Sequence, residues 1–114
     1  MKLKNIVDLL NLEVRSGSDK LDVEVCGGYA SDLMSDVIAH ARERQLWITL
    51  QTHVNTAAVA GMKGLAGVIL VQGREPEQDT VEKAGKEGIT ILVTKMPAFE
   101  IAGKLYNILN AEKV

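Results

Sequence analysis

A chain of 114 residues is long enough to bury one core and too short for two independent ones. Its 46% hydrophobic and 25% charged residues give the balance of a globular protein, which argues against disorder. Thirteen basic residues stand against fifteen acidic ones, for a net charge of -2, and the basic ones are scattered. No patch is left to displace counterions from a phosphate backbone, so no nucleic-acid partner is expected.

Four aromatic residues (Tyr29, Trp47, Phe99, Tyr106) leave the core to Val, Ile, Leu, Ala and Met. A lone Cys26 has no partner for an internal disulfide, and the N-terminus has no signal-peptide hydrophobic region. No apolar run approaches the roughly 20 residues of a membrane span. A single cytoplasmic domain over residues 1–114, with no membrane contact, is the expectation.

Along the chain, Leu3, Ile6, Val7 and Leu10 recur at helical spacing, and Asn11 is suited to close that helix in the left-handed conformation. Leu12 and Val14, then Leu21, Val23 and Val25, alternate with polar residues around Ser16-Gly17-Ser18-Asp19, which predicts two strands joined by a turn. After Cys26-Gly27-Gly28-Tyr29, a helix is predicted with Leu33, Met34, Val37, Ile38 and Ala41 on its apolar face and Ser31 or Asp32 as cap.

Three strand-then-helix units follow. Leu46–Leu50 leads into Asn55–Lys63, Val68–Val71 into Glu77–Glu87, and Ile89–Val93 into Ala98–Asn110. Gly64 and Gly88 lie just past helix ends, and Pro76 and Pro97 are placed at first helical turns. The runs Val68-Ile69-Leu70-Val71 and Ile89-Thr90-Ile91-Leu92-Val93 are apolar on both faces, as strands between two helix layers require. The predicted fold class is α/β: a three-layer α/β/α architecture with a mostly parallel central sheet of about five strands.

Open parallel sheets bind ligands beyond the carboxyl ends of their strands, where helix N-termini offer free N–H groups. Four predicted loops meet that description: Cys26–Asp32, Gln51–Asn55, Gln72–Glu75 and Thr94–Pro97. Their candidate ligand contacts are Gly28, Ser31, Asp32, Thr52, His53, Asn55, Gln72, Thr94 and Lys95, with Arg74 a further cation.

Each candidate also has a plainer structural reading. Gly27-Gly28 either receives an anion or simply turns the chain, since neither a P-loop nor a GxGxxG fingerprint is present. His53 is an anion donor, a pH switch or a metal ligand, or else a polar residue capping the next helix. Cys26 reads as a small core residue at the end of an alternating strand. Asp32 and Asp36 share a helix face that is solvated, Asp32 being nearer the loops. Trp47, which precedes the Thr52-His53 loop, is a natural optical reporter on it. The last helix, with Phe99, Ala102, Leu105, Tyr106 and Leu109 in register, covers the sheet or enters a dimer contact. With two histidines and one cysteine, neither a metal site nor a cofactor is expected, and no nucleophile–base lettering suggests an enzyme.

The succession Gly28-Tyr29-Ala30-Ser31-Asp32-Leu33-Met34-Ser35-Asp36-Val37, then Trp47-Ile48-Thr49-Leu50-Gln51-Thr52-His53-Val54-Asn55, then Val68-Ile69-Leu70-Val71-Gln72-Gly73 resembles the DRTGG domain family. The resemblance continues through Ile91-Leu92-Val93-Thr94 into the last helix. It implies a fold similar to the N-terminal domain of HPr kinase/phosphorylase. It also implies a regulatory or assembly role with self-association, as in domains that stand alone or are attached to enzymes such as CBS-containing pyrophosphatases. The eponymous Asp-Arg falls near Thr52-His53 and the paired glycines near Gln72-Gly73, so this chain keeps the framework and changes those letters.

Two functions follow as expectations. The first is a stand-alone regulatory module that binds a small anionic metabolite or nucleotide at the loops. The alternative is a homodimeric assembly module that docks on a partner enzyme without a small ligand.

Overall fold

The computed structural model describes residues 1–112. In chain order the elements are α1 (Leu3–Leu10), β1 (Glu13–Ser16), β2 (Gly27–Ala30), α2 (Met34–His40), β3 (Gln45–Thr49), α3 (Val54–Lys63), β4 (Gly67–Leu70), α4 (Gln78–Glu87), β5 (Ile91–Val93) and α5 (Ala98–Glu112). A short 3-10 turn, Ser18–Lys20, separates β1 from the segment leading to β2.

The five strands form one sheet in the order β1-β5-β4-β3-β2. β2 through β5 run parallel, and β1 joins β5 antiparallel. Alternating side chains divide the core in two, as the pleat of a strand dictates. Leu46, Ile48, Ile69, Val71 and Leu92 face α1 and α5, while Trp47, Val68, Leu70, Ile91 and Val93 face α2, α3 and α4. The architecture is the three-layer α/β/α arrangement with a mostly parallel five-stranded sheet that the sequence predicts.

Helix ends follow the expected chemistry. Asn11 closes α1 at φ 53°, ψ 46°, and Gly64 and Gly88 close α3 and α4 in the same left-handed region. Pro97 immediately precedes α5, and Pro76 lies two residues before α4, so each proline stands just outside its helix.

Other expectations are corrected. Leu21, Val23 and Val25 do not form a hairpin with β1. Gly17, at φ 78°, lies so close to Thr90 that a Cβ there would sit 2.5 Å from its hydroxyl oxygen. The Ser16 hydroxyl donates to the Ile89 carbonyl at 3.0 Å. These contacts hand β1 to β5. Residues 21–25 instead serve the start of α1: Leu3 N–H donates to the Val23 carbonyl and Lys4 N–H to that of Leu21. Two orphan donors of a helix N-terminus are thereby satisfied by a separate extended segment.

The predicted loop from Cys26 is also revised, because Gly27–Ala30 is strand β2. A Cβ on Gly28 would come within 2.9 Å of Leu105 Cδ2, so this glycine admits α5 against the sheet. Cys26 is exposed, its thiol directed at the Glu43 carbonyl, and is not a core residue. α2 is shorter than predicted: Leu33 is its N-cap residue and 63% exposed, Ile38 is exposed, and neither Ser31 nor Asp32 caps it. On α5 the buried residues are Ile101 and Leu105, while Phe99 and Tyr106 are 89% and 69% exposed.

Candidate functional site

Because β2 to β5 are parallel, the loops after them share one margin of the sheet. Backbone hydrogen bonds lace those loops together. Gln72 N–H donates to the Met96 carbonyl and Gly73 N–H to the Thr94 carbonyl, both at 3.0 Å. Gln72 and Gly73 are consecutive left-handed residues, at φ 60° and 71°. That pair turns the chain back over the end of β5 before α4 begins.

Next to this turn, where β1 meets β5, lies a cleft of about 410 Å³. Its walls include Asn11, Gly73, Thr94, Lys95 and the charged trio Glu13, Arg15 and Glu75. The antiparallel register brings Glu13 opposite Val93, which places the α1–β1 junction beside Thr94 and Lys95. Arg15 Nε donates to Glu75 Oε1 at 2.7 Å and its Nη2 to Glu75 Oε2 at 3.0 Å. The same Nη2 reaches Glu13 Oε2 at 2.8 Å. These bonds hold the Arg15 guanidinium above its ordinary value, Glu75 contributing most and Glu13 next. Reciprocally, Arg15 holds the Glu75 carboxyl below the usual glutamate range.

The nine sequence candidates divide among several environments. Thr94 and Lys95 line the cleft, and Gln72 adjoins it through Gly73. Gly28 lines a different groove, of about 320 Å³, between β2 and α5, together with Tyr29, Ala102, Leu105, Tyr106 and Leu109. Ser31 and Asp32 lie on the β2–α2 loop and bond inward. The Ser31 carbonyl accepts the Trp47 indole N–H at 2.8 Å. Asp32 Oδ1 accepts both the Thr49 hydroxyl and the Leu50 N–H at 2.8 Å.

Thr52, His53 and Asn55 surround the start of α3. The Thr52 carbonyl accepts the Thr80 hydroxyl at 2.8 Å and the Glu77 N–H at 3.2 Å, joining this loop to α4. His53 is the N-cap residue of α3, yet its side chain makes no capping bond. Its Nδ1 lies instead 3.4 Å from Glu77 Oε2. Asn55 is exposed in the first helical turn.

Sequence reasoning missed Arg15, Glu13 and Glu75. Glu75 is 60 residues from Arg15, and no local spacing signals a pair that only the β1–β5 pairing assembles. A second polar cluster, on the α2 side of β2, went unread as well. The Tyr29 hydroxyl donates to Asp36 Oδ2 at 2.8 Å, and His40 Nδ1 lies 3.0 Å from Asp36 Oδ1. The Asp36 carboxyl is held below its ordinary range, first by Tyr29 and then by Ser31. Among the described residues, no group of three or more His, Cys, Asp and Glu side chains is placed to hold a metal ion. No helix among them is long and apolar enough to cross a membrane.

Fold and cleft together define a three-layer α/β/α domain with a concave polar surface at the carboxyl margin of a mostly parallel sheet. The solved structures sharpen that class to a DRTGG-like fold. The crystal structure of the CBS and DRTGG domains of the regulatory region of Clostridium perfringens pyrophosphatase, complexed with the activator diadenosine tetraphosphate, superposes with a TM-score of 0.73 at 20% identity. The match covers 91% of this chain and 45% of that one, so this chain spans under half the length of that regulatory region. No protein-family profile matches the sequence, and no curated protein does. The likeness is therefore one of fold.

Proposed function

We propose that residues 1–114 form a single cytoplasmic regulatory domain that works by binding and not by catalysis. In this reading a small anionic ligand, a nucleotide or a phosphorylated metabolite, is sensed at the loops after the parallel strands. Occupancy then biases how the domain meets a partner, by population shift.

The observation that carries the reading is the cleft of about 410 Å³ where Thr94, Lys95 and Arg15 converge at the sheet margin. Its size falls in the range of small-ligand sites, roughly 300–1,000 Å³. The Clostridium perfringens region of like fold, crystallised with diadenosine tetraphosphate, supports the ligand class. Thr94, Lys95 and Gln72 form the inner set of proposed contacts. Gly28, Ser31, Asp32, Thr52, His53 and Asn55 are retained as the outer set.

A thermal-shift screen of nucleotides, dinucleotides and phosphorylated metabolites tests this. A ligand at 100 times its Kd should stabilise the fold by about 2.7 kcal/mol. The gain should be lost in Lys95→Ala; His53→Ala serves as the probe of the outer set. Absence of saturable stabilisation by every compound would sink the sensor reading.

One observation favours a second reading, the homodimer that docks on a partner enzyme. β2 ends the sheet, has no strand on its outer side among the described residues, and borders the groove lined by Leu105, Tyr106 and Leu109. An open edge beside apolar side chains is suited to pair with a second copy. Sedimentation velocity across a concentration series decides it, since a strictly monomeric chain at high concentration rules the dimer out.

A further inference from the structure

The cleft beside β1 contains two cations, Arg15 and Lys95, and two carboxylates, Glu13 and Glu75. As the chain stands, these charges cancel, which gives an anion little electrostatic reason to enter. One of the four is differently placed from the rest. Glu75 presents both carboxylate oxygens to Arg15, at 2.7 and 3.0 Å, in the forked arrangement that a guanidinium makes with carboxylates and phosphates alike. It sits on the connection between β4 and α4, and is 57% exposed.

We propose that Glu75 is a built-in stand-in for the ligand: an incoming carboxylate or phosphoryl group binds the cleft by taking its place on Arg15 and freeing the loop that carries it. This inference rests on the sensor reading and gives it a ligand class and a mechanism. Once Glu75 swings away, the cleft keeps Arg15 and Lys95 against Glu13 alone, and its balance becomes positive. An exposed ion pair is weak enough for a competing anion to displace.

The loop is suited to that exchange. On one side it is pinned by the Gln72 and Gly73 N–H bonds to Met96 and Thr94, on the other by the Glu77 N–H bond to Thr52. Between those pins, the side-chain bonds to Arg15 tie Glu75 to β1. Two residues on, Glu77 lies against His53 at 3.4 Å, so the mouths of α3 and α4 lie directly downstream of the exchange.

The test is a titration of the full chain, uniformly labelled with ¹⁵N, by inorganic phosphate, acetate and adenosine monophosphate in turn. Binding is followed at the Thr94 and Lys95 backbone amides, which line the same cleft, in wild type, Glu75→Gln, Arg15→Gln and Arg15→Lys, and also at the Arg15 Nε–H in the two proteins that keep Arg15. Glu75→Gln removes the competing charge while keeping size, so it should tighten binding of the responding probe by about fivefold. Arg15→Gln should abolish the response, and Arg15→Lys, which keeps the charge without the fork, should weaken it. Phosphate and acetate separate phosphoryl from carboxylate recognition.

If wild type binds through Arg15 and Glu75→Gln binds no tighter, the exchange is wrong while the sensor reading stands. Binding that leaves Arg15 undisturbed has the same meaning. If no probe binds wild type or Glu75→Gln, the cleft is not an anion site and both ideas fail there.

Discussion

At one margin of the sheet, β1 projects Glu13 and Arg15 and changes register between Val14 and Ser16. At the other, β2 reads Gly27-Gly28-Tyr29-Ala30, with no charged side chain and an even parallel register against β3. Charges and irregular pairing are what keep an edge strand from recruiting another strand, and β1 has both. β2 has neither. The comparison teaches that the two margins are chemically unlike: β1 is charged and irregularly paired, as the proposed ligand site requires, and β2 is uncharged and evenly paired, as the alternative dimer contact would require.

The largest blow to the β2 side should come from Trp47→Ala. Trp47 is fully buried, pairs with Tyr29 across β2–β3, and donates its indole N–H to Ser31. Removing it should cost about 3–5 kcal/mol in urea unfolding. A loss below about 1 kcal/mol would mean β2 is anchored elsewhere.

Next in size is Asp32→Ala. It strips the acceptor from the buried Thr49 hydroxyl and from the Leu50 N–H, at an expected cost of about 1–2 kcal/mol. Asp32→Asn, which keeps one acceptor oxygen, should cost less. Equal losses in the two variants would show that the charge matters more than the bonds.

Ala30→Lys sharpens the contrast without touching the core, since Ala30 is exposed on β2. A lysine there gives β2 the protection that β1 already has. Monomer stability should change by no more than about 0.5 kcal/mol. Any dimer seen by sedimentation should vanish, and a dimer that persists must use another surface.

The smallest effect is the pH response. Glu75 is depressed by Arg15, and Asp36 chiefly by Tyr29. A carboxyl whose folded value is depressed adds stability above its unfolded value, and that stability is lost as pH falls through the folded one. Melting temperature should therefore decline as pH drops below the ordinary carboxylate range. Glu75→Gln should flatten the part due to the β1 side and Asp36→Asn the part due to the β2 side. A profile unchanged in both variants would assign the acid response to other groups.

Legibility from sequence followed the range of the interactions. β3, β4 and β5 with their helices were readable because apolar runs and left-handed caps are local signals; Gly64 and Gly88 mark their helix ends within the sequence itself. β2 was not, since Gly27-Gly28 suggests a turn, and only the approach of Leu105 explains a glycine in that strand. Residues 21–25 alternate like a strand while serving as an extended cap for α1. The sequence nominates the loop margin, and of its candidates Thr94 and Lys95 line a cleft there. The trio opposite them depended on a pairing between β1 and β5 that no local pattern encodes.

The packing of Trp47 also decides what light can report. An indole shielded from water, with its N–H committed to the Ser31 carbonyl, should emit toward the blue and resist aqueous quenchers. Its signal belongs to the Ser31 turn and the α2–α3 side of the sheet, and the cleft lies past β4 at the far margin. Tryptophan emission is thus a natural gauge of β2 coming loose or being covered. A solute entering beside Lys95 should pass in the dark, so its arrival has to be watched at the nuclei of the cleft itself.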